Sequence, residues 1–226
     1  MKKRLLSLIM AVMMVVVLVV PAAAATTDTT SDGTVTVYVT YGMFTEGGYD
    51  TAKKAPAKQA YNSDAAPTSD KINANFYINA YTLSINTIKT DYMATTQGLY
   101  GVPDTSVSYF KTPNLVDAIL AAFFENGIDI TDPNVVSAGW DDHPVRGNPG
   151  GYIHSVSPDV PKYDKTIKQT VDGVLYNIYS GSGWNIACGT SASNIKALDA
   201  YGTSTALEDG MIIVFDFSPY RIYDVL

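Results

Sequence analysis

The chain has 226 residues, with 22 acidic side chains against 15 basic ones and a formal net charge of −7 at neutral pH. Lys2, Lys3 and Arg4 open it, so beyond residue 25 the balance becomes 12 bases against 22 acids, and an acidic surface of that kind repels phosphate backbones and sets nucleic acid aside as a partner. Cys188 is the only cysteine, which excludes an internal disulfide and leaves stability to a hydrophobic core.

The three basic residues are followed by an apolar stretch from Leu5 to Val20, then Pro21 and Ala22 to Ala25. That order predicts a secretory signal over residues 1–25, cleaved after Ala24 or Ala25. The alternative is a retained anchor, because the stretch is nearly long enough to span a bilayer core; membrane contact is expected only through this segment, if it stays uncleaved. Residues 26–33, rich in Thr, Ser and Asp, read as a flexible leader.

A single domain is expected over 34–226. Thr34 to Tyr41 alternates Thr or Tyr with Val, the period of a strand. Residues 45–71 hold glycines, prolines and small polar side chains without period and read as a long loop, functional or mobile. Ile72 to Ile88 returns to β character, Gly101 to Asp104 marks a turn, and Val107 to Phe110 reads as a short strand. The one helix expected runs over about 112–127, with Thr112 as N-cap, Pro113 at the first helical position and Gly127 as the stop. Its apolar face carries Leu115, Val116, Ile119, Leu120, Phe123 and Phe124, with Asn114, Asp117 and Glu125 opposite.

Further strands are expected at Tyr152 to Val156, in a hairpin turning at Asp172-Gly173, at Asn185 to Cys188 and at Met211 to Phe217, with a connection over Gly202 to Glu208. With 16 tyrosines favouring strands and one helix between strand groups, the fold class is α+β. A β-grasp-like mixed or antiparallel sheet packed on the 112–127 helix is the expected arrangement.

Several segments together resemble an extracellular bacterial family, domain of unknown function 4430. They are Thr112-Pro113-Asn114-Leu115-Val116-Asp117-Ala118-Ile119-Leu120, Gly151-Tyr152-Ile153-His154-Ser155-Val156, Ser182-Gly183-Trp184, and Leu207-Glu208-Asp209-Gly210 running into Met211 to Phe215. The likeness covers about 112–220. That family resembles the C-terminal domain of transcobalamin and intrinsic factor, and implies a β-grasp-like module on exported proteins whose vitamin-carrier relatives close over a corrinoid. No counterpart of the carriers' helical-barrel domain is expected within these 226 residues, and Ala187-Cys188-Gly189 stands where Asn-Gly often follows the Gly-Trp motif.

Trp140 and Trp184 each follow a glycine, and an indole on an open Gly-Ser loop can stack on a ring or sugar face; the alternative is that it plugs the end of the core. Tyr152, Tyr176 and Tyr179 with Trp184 would form a platform if their strands pair. Asp141, Asp142, His143 and His154 offer metal-ligand atoms without the spacing of a helical zinc site or a calcium loop, so no metal and no cofactor is assigned. Ser182 lacks the Gly-x-Ser-x-Gly setting of a nucleophile. The order His154, Cys188, Arg221 is similar to that of sortase-type transpeptidases, although the Thr-Leu-x-Thr-Cys of that family is replaced by Trp184-Asn185-Ile186-Ala187-Cys188. The expectation is a secreted or cell-surface, non-catalytic binding or adhesion module. Its ligand, a small molecule, glycan or surface protein, would meet Trp184, Tyr152, Tyr179, Trp140 and His154. A cysteine transpeptidase or peptidase using Cys188, and a structural piece of a surface assembly, are the alternatives.

Overall fold

The computed structural model describes residues 32–65, 78–101, 111–141, 150–156, 165–198 and 200–226. In chain order its strands are β1 (Thr34–Tyr41), β2 (Gly48–Asp50), β3 (Ala55–Ala57), β4 (Ile78–Ser84), β5 (Val136–Asp141), β6 (Gly150–Val156), β7 (Lys165–Val171), β8 (Val174–Gly189), β9 (Lys196–Ala197) and β10 (Met211–Val225). Two helical segments intervene between β4 and β5. The first, α1, covers 85–100 and includes a π-helical stretch at Ile88–Tyr92; the second, α2, is Leu115–Glu125. The expected signal segment, residues 1–25, lies outside the described residues, and no helix within them is long and apolar enough to cross a membrane.

The strands build a mixed sheet ordered β4-β1-β10-β8-β7, with β9 on the edge of β8. At its centre β1 and β10 run parallel, Val35 opposite Met211 through Tyr41 opposite Phe217, while every other pair in the sheet is antiparallel. Alternation along β1 sorts the two faces. Val35, Val37, Val39 and Tyr41 join Ile213 and Phe215 on the helix side, where Phe123 of α2 meets Phe215 edge-on at 6.1 Å. The protein is therefore a mixed, sheet-dominated α+β fold.

α2 is more deeply buried than its sequence pattern predicts. Leu115 to Phe123 are all buried, including Asp117, because the helix is covered by the sheet on one side while Val136, Ile153 and Val156 of the β5–β6 hairpin join the same core. A helix that is apolar nearly all round belongs between layers, and each fully buried Leu, Ile or Phe contributes roughly 1.5–3 kcal/mol. Two expectations change here. Asn114, not Thr112, is the N-cap: its Oδ1 accepts the amides of Val116 (2.9 Å) and Asp117 (3.2 Å), and Asp117 returns a bond from the Asn114 amide (3.0 Å). Asn114 and Asp117 are buried instead of facing solvent, and Phe124 is 53% exposed, covered in part by Tyr92. The stop is as expected, with Gly127 at φ +77°.

The β character expected through Ile88 ends earlier. Ser84 caps the start of α1 by accepting the Thr87 amide at 3.1 Å, so Ile85 to Ile88 are helical, and 112–127 is not the only helix. Apolar residues there repeat at short range, and a capping Ser overrides their β propensity. The expected strand at Val107 to Phe110 lies outside the described residues.

The long loop of 45–71 is organised as far as residue 65. Its start is fastened by Asp216 of β10, a buried carboxylate on the face away from the helices, which accepts from Thr40 Oγ1 (2.7 Å), the Met43 amide (3.0 Å) and the Ser218 hydroxyl. Ser218 in turn accepts the Phe44 amide at 3.1 Å. Met43, Phe44 and Tyr61 then cover Val214 and Ala187, and β2 and β3 pair as a hairpin. Asn185 to Cys188 lies near the C-terminal end of the 16-residue β8, and the last strand continues past Phe217 to Val225 because β8 remains its partner to Tyr176.

Candidate functional site

The β5–β6 hairpin places Gly139 opposite Tyr152 and Asp141 opposite Gly150. With no side chain at these glycines, aromatic rings lie against the strands. A Cβ at Gly139 would stand 3.6 Å from the Tyr152 hydroxyl, and one at Gly150 would come within 2.5 Å of the Tyr201 Cβ. Tyr201 enters from the 3-10 turn at Gly202–Ser204, and its hydroxyl donates to Asp141 Oδ2 at 2.5 Å. The rings form a row: Tyr201 to Tyr152 at 6.2 Å between centroids and Tyr152 to His154 at 6.0 Å. His154 is exposed and the two tyrosines are half-buried. The two tyrosine rings are held by contact with Gly139 and Gly150 and by one carboxylate bond, and His154 stands edge-on to Tyr152 at 74°, so the row is a stepped aromatic surface that suits a ring-bearing ligand with hydroxyl edges.

Of the residues expected to share a site, Tyr152 and His154 are together. Trp184 is elsewhere. It stacks on Phe215 at 4.4 Å with the planes 7° apart, and meets Tyr41 and Phe217 edge-on at 5.5 and 5.3 Å. This is the core-plug alternative. Trp140 of β5 packs against the same core, opposite Gly151 of β6. Tyr179 pairs with Ile222 and Thr166, and its odd spacing from Tyr176 turns it to the other face of β8. Tyr176 instead meets Tyr49 and Tyr223 at 6.1 and 5.7 Å. The single platform of Tyr176, Tyr179, Tyr152 and Trp184 does not form, since eight residues of strand, about 27 Å, separate Tyr176 from Trp184.

The cysteine, histidine and arginine are likewise dispersed. Cys188 is opposite Ile213, whereas Arg221 lies eight residues further along β10, roughly 27 Å away, and is ion-paired with Glu46 at 3.0 Å. Burial, with a smaller contribution from Glu208, pushes the Cys188 thiol up, the opposite of what a nucleophile needs. Labelling of the native protein by a thiol reagent at pH 7 is expected to be at least about tenfold slower than in denaturant, a ratio measured by absorbance. Asp142 and His143 lie outside the described residues, and among those described no three His, Cys, Asp or Glu side chains are placed to hold a metal. Ser182 is half-buried on β8.

Two buried carboxylates are structural. Asp117 accepts Thr96 Oγ1 at 2.5 Å and the Tyr100 hydroxyl at 3.1 Å as well as the Asn114 amide, tying α1 to the start of α2, and Asn114 Nδ2 donates to the Tyr100 hydroxyl at 3.2 Å. Desolvation raises its pKa to about 6 despite these bonds. Asp216 is raised for the same reason, and Tyr41, whose buried hydroxyl has no partner, is pushed up to about 12 by burial and by Asp216.

No protein-family model, no curated protein and no solved structure matches this chain.

Proposed function

We propose that this is a secreted or cell-surface, non-catalytic binding module that recognises a glycan or similar ring-bearing molecule through the row Tyr201, Tyr152 and His154. The observation that carries the reading is that row itself, with Tyr152 against Gly139, Tyr201 against Gly150 and the Tyr201 hydroxyl braced by Asp141. The export reading rests on the basic and apolar order of residues 2–25. The likeness to domain of unknown function 4430 and to the vitamin carriers' C-terminal domain, and with it a β-grasp-like arrangement, draws support from the central parallel pairing of the first and last strands and from the helix lying across one face.

Screening the protein on a glycan array and against corrinoids, with Tyr152→Ala and His154→Ala beside it, tests the proposal. Binding to one ligand class is expected, weakened about tenfold or more in Tyr152→Ala, a loss of one stacking contact of roughly 1–2 kcal/mol. The thermal midpoint should stay within about 2 °C, since the ring is not in the main core. Affinity unchanged by both substitutions, or no binding to any member of either panel, would refute the assignment.

A further inference from the structure

Below the body of the sheet, β7, β8 and the last half of β10 continue as a three-stranded arm. On one rung of that arm Lys165, Ser180 and Arg221 are register partners. Partners on one rung project to the same face, and neighbouring strands stand about 4.8 Å apart, so two cations flank a hydroxyl with roughly 10 Å between their backbones. That span suits two long side chains converging on one anionic group. The three residues line a groove of about 400 Å³, whose apolar wall is Ile167 and Ile178 and whose rim carries Ser182 and Glu46.

Arg221 is fixed at the groove. Its amide donates to the Glu46 carbonyl at 2.6 Å and its Nη2 stands 3.0 Å from Glu46 Oε1. One carboxylate engages only part of a guanidinium fork that has five donors, and the Lys165 ammonium adds three more. The groove thus has an excess of positive charge in a chain whose net charge is −7. Beyond about 8–10 Å in physiological salt the remaining carboxylates are screened, and the groove's own cations set its preference.

We infer that this groove is a second binding site, separate from the ring row, for an oxyanion: a phosphate or carboxylate group carried on a sugar or other small molecule. Ser180 and Ser182 supply hydroxyl donors, Lys165 and Arg221 the charge, and Ile167 and Ile178 an apolar wall for the carrier. Nuclear magnetic resonance titrations of the whole protein with inorganic phosphate and with glucuronate, read at the amides of 165, 180 and 221, test it and separate the two oxyanions. Saturable shifts with at least one of them are expected, weakened about tenfold in Lys165→Ala and in Arg221→Ala. Lys165 is exposed, so Lys165→Ala should keep the wild-type thermal midpoint and report on binding alone. Saturation by neither anion, or an affinity in Lys165→Ala equal to the wild type's, overturns the inference. Tyr152→Ala should leave these shifts intact, so failure here and failure of the ring-row proposal are told apart.

Discussion

Replacing Asp117 by Ala should lower the unfolding free energy by about 3 kcal/mol, because three buried donors, the Thr96 and Tyr100 hydroxyls and the Asn114 amide, lose their acceptor together. In a domain of this size that corresponds to a fall of roughly 6–12 °C in thermal midpoint, measured by circular dichroism or calorimetry. The same carboxyl gives a pH signature. Its folded pKa, about 6, lies above the ordinary value of 3.8, so the folded state holds the proton more tightly than the unfolded chain does. Its contribution to stability is therefore fully present below about pH 4 and is lost as pH rises through about 6. Between pH 7.5 and 5 the wild type should gain about 1 kcal/mol from this group, with Asp216 acting in the same direction. Asp50 and Asp129, whose pKa values are lowered by bonds from Lys53 and from Thr131, act the other way at more acid pH. In Asp117→Asn the gain between pH 7.5 and 5 should shrink to what Asp216 leaves; an undiminished gain would mean that the proton is bound elsewhere.

Trp184→Ala should cost about 3 kcal/mol. The indole lies parallel on Phe215 and edge-on to Tyr41 and Phe217, so its removal opens a cavity beside Phe215 and forfeits three ring contacts. Urea titration should show a lower midpoint with an unchanged slope. A variant as stable as the wild type would place the indole outside the core and return it to candidacy as a ligand contact.

How far the sequence discloses this arrangement depends on the range of the interactions concerned. The first strand, the hairpin at Asp172-Gly173, the entry to the last strand and the stop at Gly127 are written in local period and turn chemistry, and the structure has them at those places. Asp117 reads as a solvated helix residue because its neighbours along the chain are all that a helical wheel can show. Its partners Thr96 and Tyr100 come from a helix on the far side of an undescribed segment, and only tertiary packing brings them within reach. Ile85 to Ile88 look like strand residues by their β propensity, and the local trace of the helix that forms there is the cap at Ser84, which accepts the Thr87 amide.

The site divides along the same line. Tyr152 and His154 are two residues apart on one strand, so their shared face is legible from period alone. Tyr201 is nearly fifty residues away with no local motif, and its place in the row depends on Gly150, whose lack of a side chain is the one sequence trace of the contact. The Gly-Ser neighbours of Trp184 point to an open surface loop. In the sheet those small residues instead let Tyr220 lie over Gly183 while the indole turns inward.

The division of aromatic rings between a recognising surface and a packed interior is tested most directly by titrating isotope-labelled protein with the best ligand from the array and following the ring resonances. The largest shifts should fall on Tyr152, His154 and Tyr201, with the indole Nε1 proton of Trp184 unmoved. A titration in which the Trp184 indole moves most and the Tyr152 ring stays still would contradict the account.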